Sequence, residues 1–560
     1  MNDAKAEKAE KAKFLLACLL MIYSSYLLLM QASMIFDFNL FHEEHRVLYT
    51  QHSVENAQLF EEDYIYDYLI SKPHPIFYSL LLRTWFYLGL GSLISFHRVL
   101  VILCYLAFLV GMGVAALNFF KKGKLALSMV LSLAISQPSI LYQISSATPH
   151  SFAFPCLAWC LVFLSHGSYA ALSFLTILTS SLYFPAAAII GLAFAIFVIL
   201  DLKRRSSNRL APYLILILFT GILSISLSYP NLRGRSGFGE ALVPFANPVD
   251  FPESGSDGRI FMGVEDPFGY VVRRFFGQSR DFAPSLSVVA FALFATAVSL
   301  SIYGFWNCIR DESLSLSLLS FGSASLFCLL LVLLYRVDLS YRFLLYPFMT
   351  VFPLLLTGGI LSIDESMSNR GSSRRALASY LIFLFFIVSM DSLNEAKIGF
   401  MLSTPPQIRE LESFASQIGR NTLVAAWPKS MANEFFPYLY KRPVLLLHKA
   451  HYPSHEKYVI EMRSRMVDLI NAYLATTIEP LVKLKTKWRV RYLIVDKEHF
   501  TENEAQLSYF APFDDLIAKL QRKGKRIGFF LEDPPEDLLI WENERLFVLD
   551  LDRLLDKVKE

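Results

Sequence analysis

The side chains best suited to chemistry begin in residues 35–74. Asp37, Glu43, Glu44, Glu61, Glu62, Asp63 and Asp67 are followed by Lys72 and His74 in "SKPHP". Carboxylates at this density can deprotonate an acceptor hydroxyl or hold a divalent cation against a phosphate. For any one of them the plainer alternative is a solvated acidic loop. A second group lies far downstream in "YRVDLSYRFLLYP" (335–347), where Arg336 and Arg342 sit at the junction of two apolar runs. Two guanidiniums there are suited to clamping a phosphate or diphosphate bidentately, against the alternative that they only snorkel to water. Arg273, Arg274 and Arg280 in "YVVRRFFGQSR" form another basic patch, for which ordinary surface exposure is the competing reading.

The frame that must bring these groups together is a membrane domain. Hydrophobic residues make up 54% of the 560-residue chain and mean hydropathy is +0.42, which excludes an ordinary soluble protein. Apolar runs long enough to cross about 30 Å of hydrocarbon recur up to residue 391. They predict eleven transmembrane helices at 14–34, 97–118, 125–143, 150–166, 169–183, 184–200, 210–228, 286–306, 314–335, 343–362 and 375–391. The lysine-rich start "MNDAKAEKAEKAK" leads into the first run with no small-residue cleavage site, so that run is expected to be a retained span.

Residues 76–91 are the exception. Four basic clusters (Lys5 to Lys13, Lys121 to Lys124, 201–209 and 368–375) fall on one membrane face only if residues 76–96 do not cross. Ser79, Arg83 and Tyr87 recur every four residues on this otherwise apolar stretch, predicting a helix that lies along the surface. The amino terminus is then cytoplasmic. The loops 35–96 and 229–285 and the tail 392–560 are then extracytoplasmic.

The tail carries frequent charges and no long apolar run. Short β-rich runs at 423–427, 443–447, 492–495 and 527–531 alternate with helical stretches. The clearest helix covers 456–474, where Val459, Met462, Met466, Leu469 and Tyr473 share one face. The expected architecture is therefore a polytopic α-helical domain (1–391) followed by a small extracytoplasmic α/β accessory domain (392–560). This tail has no glycine-rich phosphate loop and no nucleophile elbow. With 52 basic against 49 acidic residues, the charge balance gives no reason to invoke nucleic acid. All six cysteines fall inside apolar runs, which argues against a disulfide framework or a zinc site.

The segment "KPHPIFYSLLLRTWFYLGLG" resembles the lysine- or histidine-proline-proline-leucine segment of lipid-dependent glycosyltransferases of the C superfold, in the protein mannosyltransferase and lipid A aminoarabinose transferase branch. In that branch the segment begins a juxtamembrane helix, and an acidic pair stands about thirty residues earlier, where this chain has "HEEHRVLY". The resemblance implies Glu43 and Glu44 as catalytic carboxylates, with Asp63 of Glu61-Glu62-Asp63 able to do comparable work. "YRFLLYP" is similar to the family's arginine-tyrosine-proline signature and implies Arg342 as a phosphate contact, with Arg336, Lys72 and His74 beside it. Pro-His-Pro stands where the family has Pro-Pro, and Glu-Glu where it has Asp-Glu.

The resemblance implies transfer of a sugar from a polyprenyl-phosphate carrier to an extracytoplasmic glycan, lipid or protein acceptor, with inversion at the anomeric carbon. It leaves no certain cofactor, a divalent cation such as Mg or Mn being the candidate. A transporter or lipid flippase would instead place charges or broken spans at mid-membrane depth. A polysaccharide polymerase would share the outer-face chemistry with a lipid-diphosphate donor, and a scaffold would not need the acidic loop. The absence of an Asn-x-Ser/Thr sequon, with no cysteine in the proposed outer regions, points to a prokaryotic plasma membrane.

Overall fold

The computed structural model describes residues 2–36, 40–41, 43–72, 74–120, 123–204, 210–232, 237–242, 249–254, 258–259, 284–309, 312–334, 342–368, 402–403, 406–451, 455–500 and 507–559. Its first helix, α1 (Asn2–Phe36), leads through strand β1 (Leu40–Phe41) into a 3₁₀ segment, Glu43–Gln51, and a single turn, His52–Glu55. Helices α2 (Tyr64–Ile70) and α3 (Ile76–Tyr87) follow. The bundle continues with α4 (Leu93–Phe119), α5 (Gly123–Ser136), α6 (Pro138–Ile144), α7 (Ala153–His166), α8 (Tyr169–Ser180), α9 (Phe184–Arg204) and α10 (Leu210–Leu232). It closes with α11 (Pro284–Ile309), α12 (Glu312–Leu334) and α13 (Arg342–Ser368).

Five helical stretches among the described residues are long and apolar enough to cross a membrane: Lys13–Ser33, Leu93–Phe119, Phe184–Arg204, Ala211–Ser228 and Arg342–Ile363. Of the other predicted spans, α5, α7 and α8 are shorter, with 14, 14 and 12 residues. The stretch 125–143 breaks at Gln137, because Pro138 lacks an N–H and disfavours helix at the residue before it. The stretch expected at 375–391, and with it the boundary at 391/392, lies outside the described residues.

Helix α3 has 12 residues. At 1.5 Å per residue that is about 18 Å, too short for a hydrocarbon core of about 30 Å. Tyr78 and Leu82 face inward, while Ile76, Leu80, Arg83 and Tyr87 are exposed. The exposed face therefore mixes apolar and polar groups, as a helix at a membrane–water boundary does. Elsewhere the bundle packs tightly. A Cβ at Gly304 of α11 would stand 2.1 Å from the Leu355 carbonyl of α13, and one at Gly359 would stand 2.2 Å from that of Leu300. Only glycine lets these two backbones approach so closely.

The C-terminal region folds around a four-stranded sheet of order β3-β4-β6-β5, formed by β3 (Val424–Ala426), β4 (Tyr492–Asp496), β5 (Leu539–Glu542) and β6 (Leu546–Asp550). The β3–β4 pair is parallel and the others are antiparallel. Every residue of β4 and β6 is buried, so these central strands are covered on both faces. Around them lie α14 (Pro406–Gln417), α15 (Met431–Tyr440), α16 (Glu456–Tyr473), α17 (Glu479–Trp488), α18 (Phe513–Ile527) and α19 (Leu551–Lys559). All five residues of the apolar stripe predicted on α16 are buried. Two strand expectations are corrected. Val444 makes only an isolated bridge to Val424, and 527–531 forms the end of α18 and a turn, because Gly528 takes a φ of 90°.

The first loop lies on this C-terminal region. β1 pairs with β2 (Leu402–Ser403). Tyr68 stacks on Tyr458 with ring centroids 3.5 Å apart, and its hydroxyl meets His455 Nδ1 at 3.1 Å. The loop after α10 docks on the same helix, where Arg463 donates two 2.7 Å hydrogen bonds to the fully buried Glu253.

A candidate active site where the helices meet the C-terminal domain

Asp63 is 5% exposed. Its Oδ1 accepts from the Ile65 N–H at 2.9 Å, capping α2, and its Oδ2 accepts from the Tyr49 hydroxyl at 3.2 Å. Burial pushes its pKa up to about 6, against the pull of the Ile65 and Tyr66 N–H groups and of Arg465. A carboxylate with both oxygens engaged inside the packing is a helix cap. Asp63 thus fixes the start of α2 from inside the packing. Glu55 is likewise occupied, 2.8 Å from Lys441 and 3.6 Å from His52, while Glu61, Glu62 and Asp67 are exposed.

Glu43 and Glu44 open the 3₁₀ segment, and their side chains lie outside the described residues, as do Arg336, Arg273, Arg274 and Arg280. At about 2 Å per residue, the segment carries the chain roughly 16 Å from Glu43 to Gln51. Gln51 enters a buried network that composition alone did not reveal. His97 Nε2 donates to Gln51 Oε1 at 3.0 Å, which leaves Nδ1 to accept from the Tyr438 hydroxyl at 2.9 Å. Gln51 Nε2 donates to the Tyr78 hydroxyl at 3.1 Å, and Tyr78 donates in turn to the Ala147 carbonyl at 2.8 Å. His52 Nε2 adds a 2.8 Å bond to the Tyr438 carbonyl. One proton order thus runs from α15 through α4 and the first loop into the bundle. The sequence did carry a signal for it: His97, followed by Arg98, is an ionisable residue at the start of an apolar span.

His74 stands at the edge of this network, its ring 5.5 Å from that of Tyr78 and its Nε2 3.5 Å from Gln51 Nε2. Lys72 is exposed, two residues past the end of α2. The helix that His74 introduces abuts the bundle directly, because the Phe77 N–H donates to the Ser181 carbonyl at 3.1 Å. Tyr183 follows two residues later, and Arg342 Nη1 donates to its hydroxyl at 3.3 Å. His150 packs edge-on to Tyr183 at 6.3 Å, and its Nδ1 lies 2.6 Å from Thr148 Oγ1. Tyr346, one turn beyond Arg342, donates to Gln143 Oε1 at 3.0 Å.

The turn between α6 and α7 joins the two groups. Ala147 sits there at φ 53°, a left-handed conformation that costs an L-residue energy. It is held by the Tyr78 hydroxyl on its carbonyl and by the Ser146, Thr148 and Ser151 hydroxyls around it. Tyr78, which packs on His74, bonds this turn at Ala147, and His150 within it packs on Tyr183, the partner of Arg342. An apolar cavity of about 270 Å³ is lined by Phe343, Leu344, Pro347 and Phe348 of α13, with Phe305 of α11 and Phe321 of α12.

A second cavity, of about 250 Å³, lies within the C-terminal region at the carboxyl ends of the parallel strands β3 and β4. Trp427, Lys429, Asp496, His499 and Arg545 line it. Arg545 is already paired with Asp496 at 2.9 Å and Glu498 at 3.0 Å, and none of the residues predicted from sequence contributes to it. Among the described residues no group of three or more His, Cys, Asp or Glu side chains could hold a metal ion.

No protein-family profile matches the sequence, and no curated protein does. Solved structures do share its fold. The oligosaccharyltransferase of Archaeoglobus fulgidus, in complex with Zn and sulfate, matches at a TM-score of 0.54 and 12% identity, over 90% of this chain and 70% of that one. The same organism's oligosaccharyltransferase AglB, with an inhibitory peptide and a dolichol-phosphate, matches at 0.51 and 12% over 88% and 70%. ArnT from Cupriavidus metallidurans in the apo state gives 0.47 and 10% over 95% and 97%. At these identities the likeness is one of fold.

Proposed function

We propose that this chain is an integral-membrane glycosyltransferase that takes a sugar from a polyprenyl-phosphate carrier and passes it to an acceptor on the outer face of the membrane. The observation that carries the reading is the Phe77–Ser181 hydrogen bond. It seats the helix introduced by Lys72 and His74 against the turn whose Tyr183 contacts Arg342, in a fold shared with an oligosaccharyltransferase. The apolar cavity that begins at the residue after Arg342 suits an isoprenoid tail whose phosphate stays at the guanidinium.

Cleavage of the sugar–phosphate bond builds positive charge at the anomeric carbon and negative charge on the departing phosphate. Arg342, with Arg336 six residues before it and with Lys72 and His74, would neutralise that phosphate as it leaves. The tyrosine hydroxyl of Tyr183 orients the guanidinium. Glu43 or Glu44 would accept the proton of the attacking hydroxyl from the opposite face, giving inversion. Asp63 would act only by fixing α2. The described residues offer no metal cluster, so no step is assigned to a Mg or Mn ion.

The test is incubation of purified protein with a panel of radiolabelled polyprenyl-phosphate sugars, reading transfer or slow hydrolysis. The Glu43→Gln/Glu44→Gln double variant should abolish turnover while leaving donor binding, and one of the two single variants, the one at the base, should do the same. Folded protein that turns over no donor, or a double variant with full activity, would overturn the reading and favour a transporter or scaffold.

A further inference from the structure

At the other end of the bundle, α1 and α5 enclose a cleft of about 520 Å³ that the proposed transfer does not use. Lys13 and Lys124 stand at its mouth, and Phe14, Ala17, Met21 and Leu125 form its apolar walls. The two helices close on each other deeper in. Ser24 Oγ meets Ser132 Oγ at 2.8 Å, Ser132 Oγ donates to the Leu20 carbonyl at 3.3 Å, and Gln31 Nε2 donates to the Ile135 carbonyl at 3.1 Å. From Lys13 to Ser24 the rise is about 16 Å, and from Lys124 to Ser132 about 12 Å. The cleft is thus about one leaflet deep in a core of about 30 Å. It opens toward the basic end of both helices, where Lys5, Lys8 and Lys11 precede Lys13 and Lys121 and Lys122 precede Lys124.

We propose that this cleft binds one anionic phospholipid from the leaflet on the amino-terminal side of the membrane. The lipid's phosphate would lie between Lys13 and Lys124, and one acyl chain would run along Phe14, Ala17 and Met21. The charge pattern selects this occupant. An apolar slot alone accepts any lipid, whereas lysines converging at headgroup depth favour a negative one, and basic pockets between membrane helices on this side are where such headgroups bind. The site lies roughly 35 Å along α1 from the start of the first loop, so it is separate from the proposed donor site.

The experiment is native mass spectrometry of the full chain in neutral detergent, titrated with phosphatidylglycerol and with phosphatidylcholine of the same acyl chains. A first phosphatidylglycerol should bind with roughly 30-fold preference, from about a factor of five per lysine. Lys13→Gln with Lys124→Gln should remove the preference, and Lys5→Gln with Lys8→Gln should keep it. Met21→Trp, which fills the wall without changing charge, should weaken binding of both lipids. Glycerol phosphate without acyl chains should not compete. Equal binding of the two lipids overturns the proposal. So does equal loss of preference in the two lysine pairs, which would reduce the effect to diffuse surface charge.

Discussion

The docked first loop and the junction around Arg342 both bury polar groups among aromatic rings, and they use them differently. In the loop, three groups serve architecture. Asp63 caps a helix, Tyr68 stacks on Tyr458 and meets His455, and Phe60 N–H bonds Asn421 Oδ1 at 3.2 Å. At the junction, Tyr78 and His150 meet a turn held in a strained conformation, Arg342 begins a helix with its guanidinium on Tyr183, and an apolar cavity is lined from the next residue, Phe343, onward. The loop is a fastening that holds the C-terminal domain over the bundle. The junction gathers its polar groups around the start of α13.

That contrast predicts opposite behaviour on mutation, and the largest effect falls at the junction. Arg342→Ala should cut transfer by about 10²–10³, the usual consequence of removing one preorganised group that stabilises developing charge. The apparent melting temperature should barely move. Arg342→Lys should recover part of the rate by supplying charge without the bidentate fork, and Tyr183→Phe should fall between wild type and Lys. Initial rates at saturating donor read all three. A large drop in thermal stability for Arg342→Ala would place the arginine with the fastenings instead.

Next in size is Tyr458→Ala in the fastening. This ring is fully buried against Tyr68 and Tyr64, and its hydroxyl donates to the Ala450 carbonyl at 2.8 Å. Truncating a buried aromatic costs about 3–5 kcal/mol. Denaturant titration should show the loss, and the activity of the remaining folded fraction should be close to normal. A variant that is stable but inactive would mean that the docked loop does more than hold.

Much of the fold was legible in the sequence, and the reason is periodicity. The apolar stripe of α16 and the short, proline-led α3 follow from spacing and from length. The strands β5 and β6 escaped notice because "LLIWENERLFVLD" interleaves charge with apolar residues, and 527–531 looked like a strand although Gly528 turns it. The site was half legible. His74 and Arg342 stood out as charges at the ends of apolar runs. The capping bond of Asp63 was not legible, because a capping aspartate looks like any other acid of the loop until the α2 N–H groups are located. Gln51, Tyr78, His97 and Tyr183 could not be grouped from sequence, since contacts across tens to hundreds of residues bring them together.

Two buried titratable groups in the fastened region should pull stability in opposite directions with pH. Asp63 is raised to about 6 from 3.8, so the folded state holds its proton more tightly than the unfolded chain does. Its contribution is most favourable below about pH 4 and falls by up to about 3 kcal/mol as pH rises through 6. His451, wholly buried against Phe510, Phe513 and Tyr509, is pushed down to about 3 by burial. Its contribution is full above pH 6.5 and is lost as pH falls, by about 2 kcal/mol at pH 5. Asp63→Asn should therefore remove the decline above pH 4 and leave an acid-sensitive protein. His451→Gln should do the reverse. Apparent melting temperatures across pH 4–8 for both variants would expose the two slopes, and identical profiles would refute the assignment.

The smallest effect separates a surface ion pair from these buried groups. Glu55 lies 2.8 Å from Lys441, and its pKa is lowered to about 2, first by the hydrogen bond with His52 and then by Lys441. A lowered carboxylate stabilises the fold above its ordinary range and loses that contribution as pH falls from about 4.5 toward 2. Its side chain is 36% exposed, so water and salt screen most of the attraction. Lys441→Ala should cost less than about 1 kcal/mol, and the difference from wild type should shrink further in 0.5–1 M salt, in contrast to the salt-insensitive loss at Tyr458. Because Glu55 faces a lysine of the C-terminal domain and not the Arg342 turn, the same substitution should leave transfer rates unchanged. A rate that falls with Lys441→Ala would tie this rim contact to catalysis and erase the distinction between the fastening and the junction.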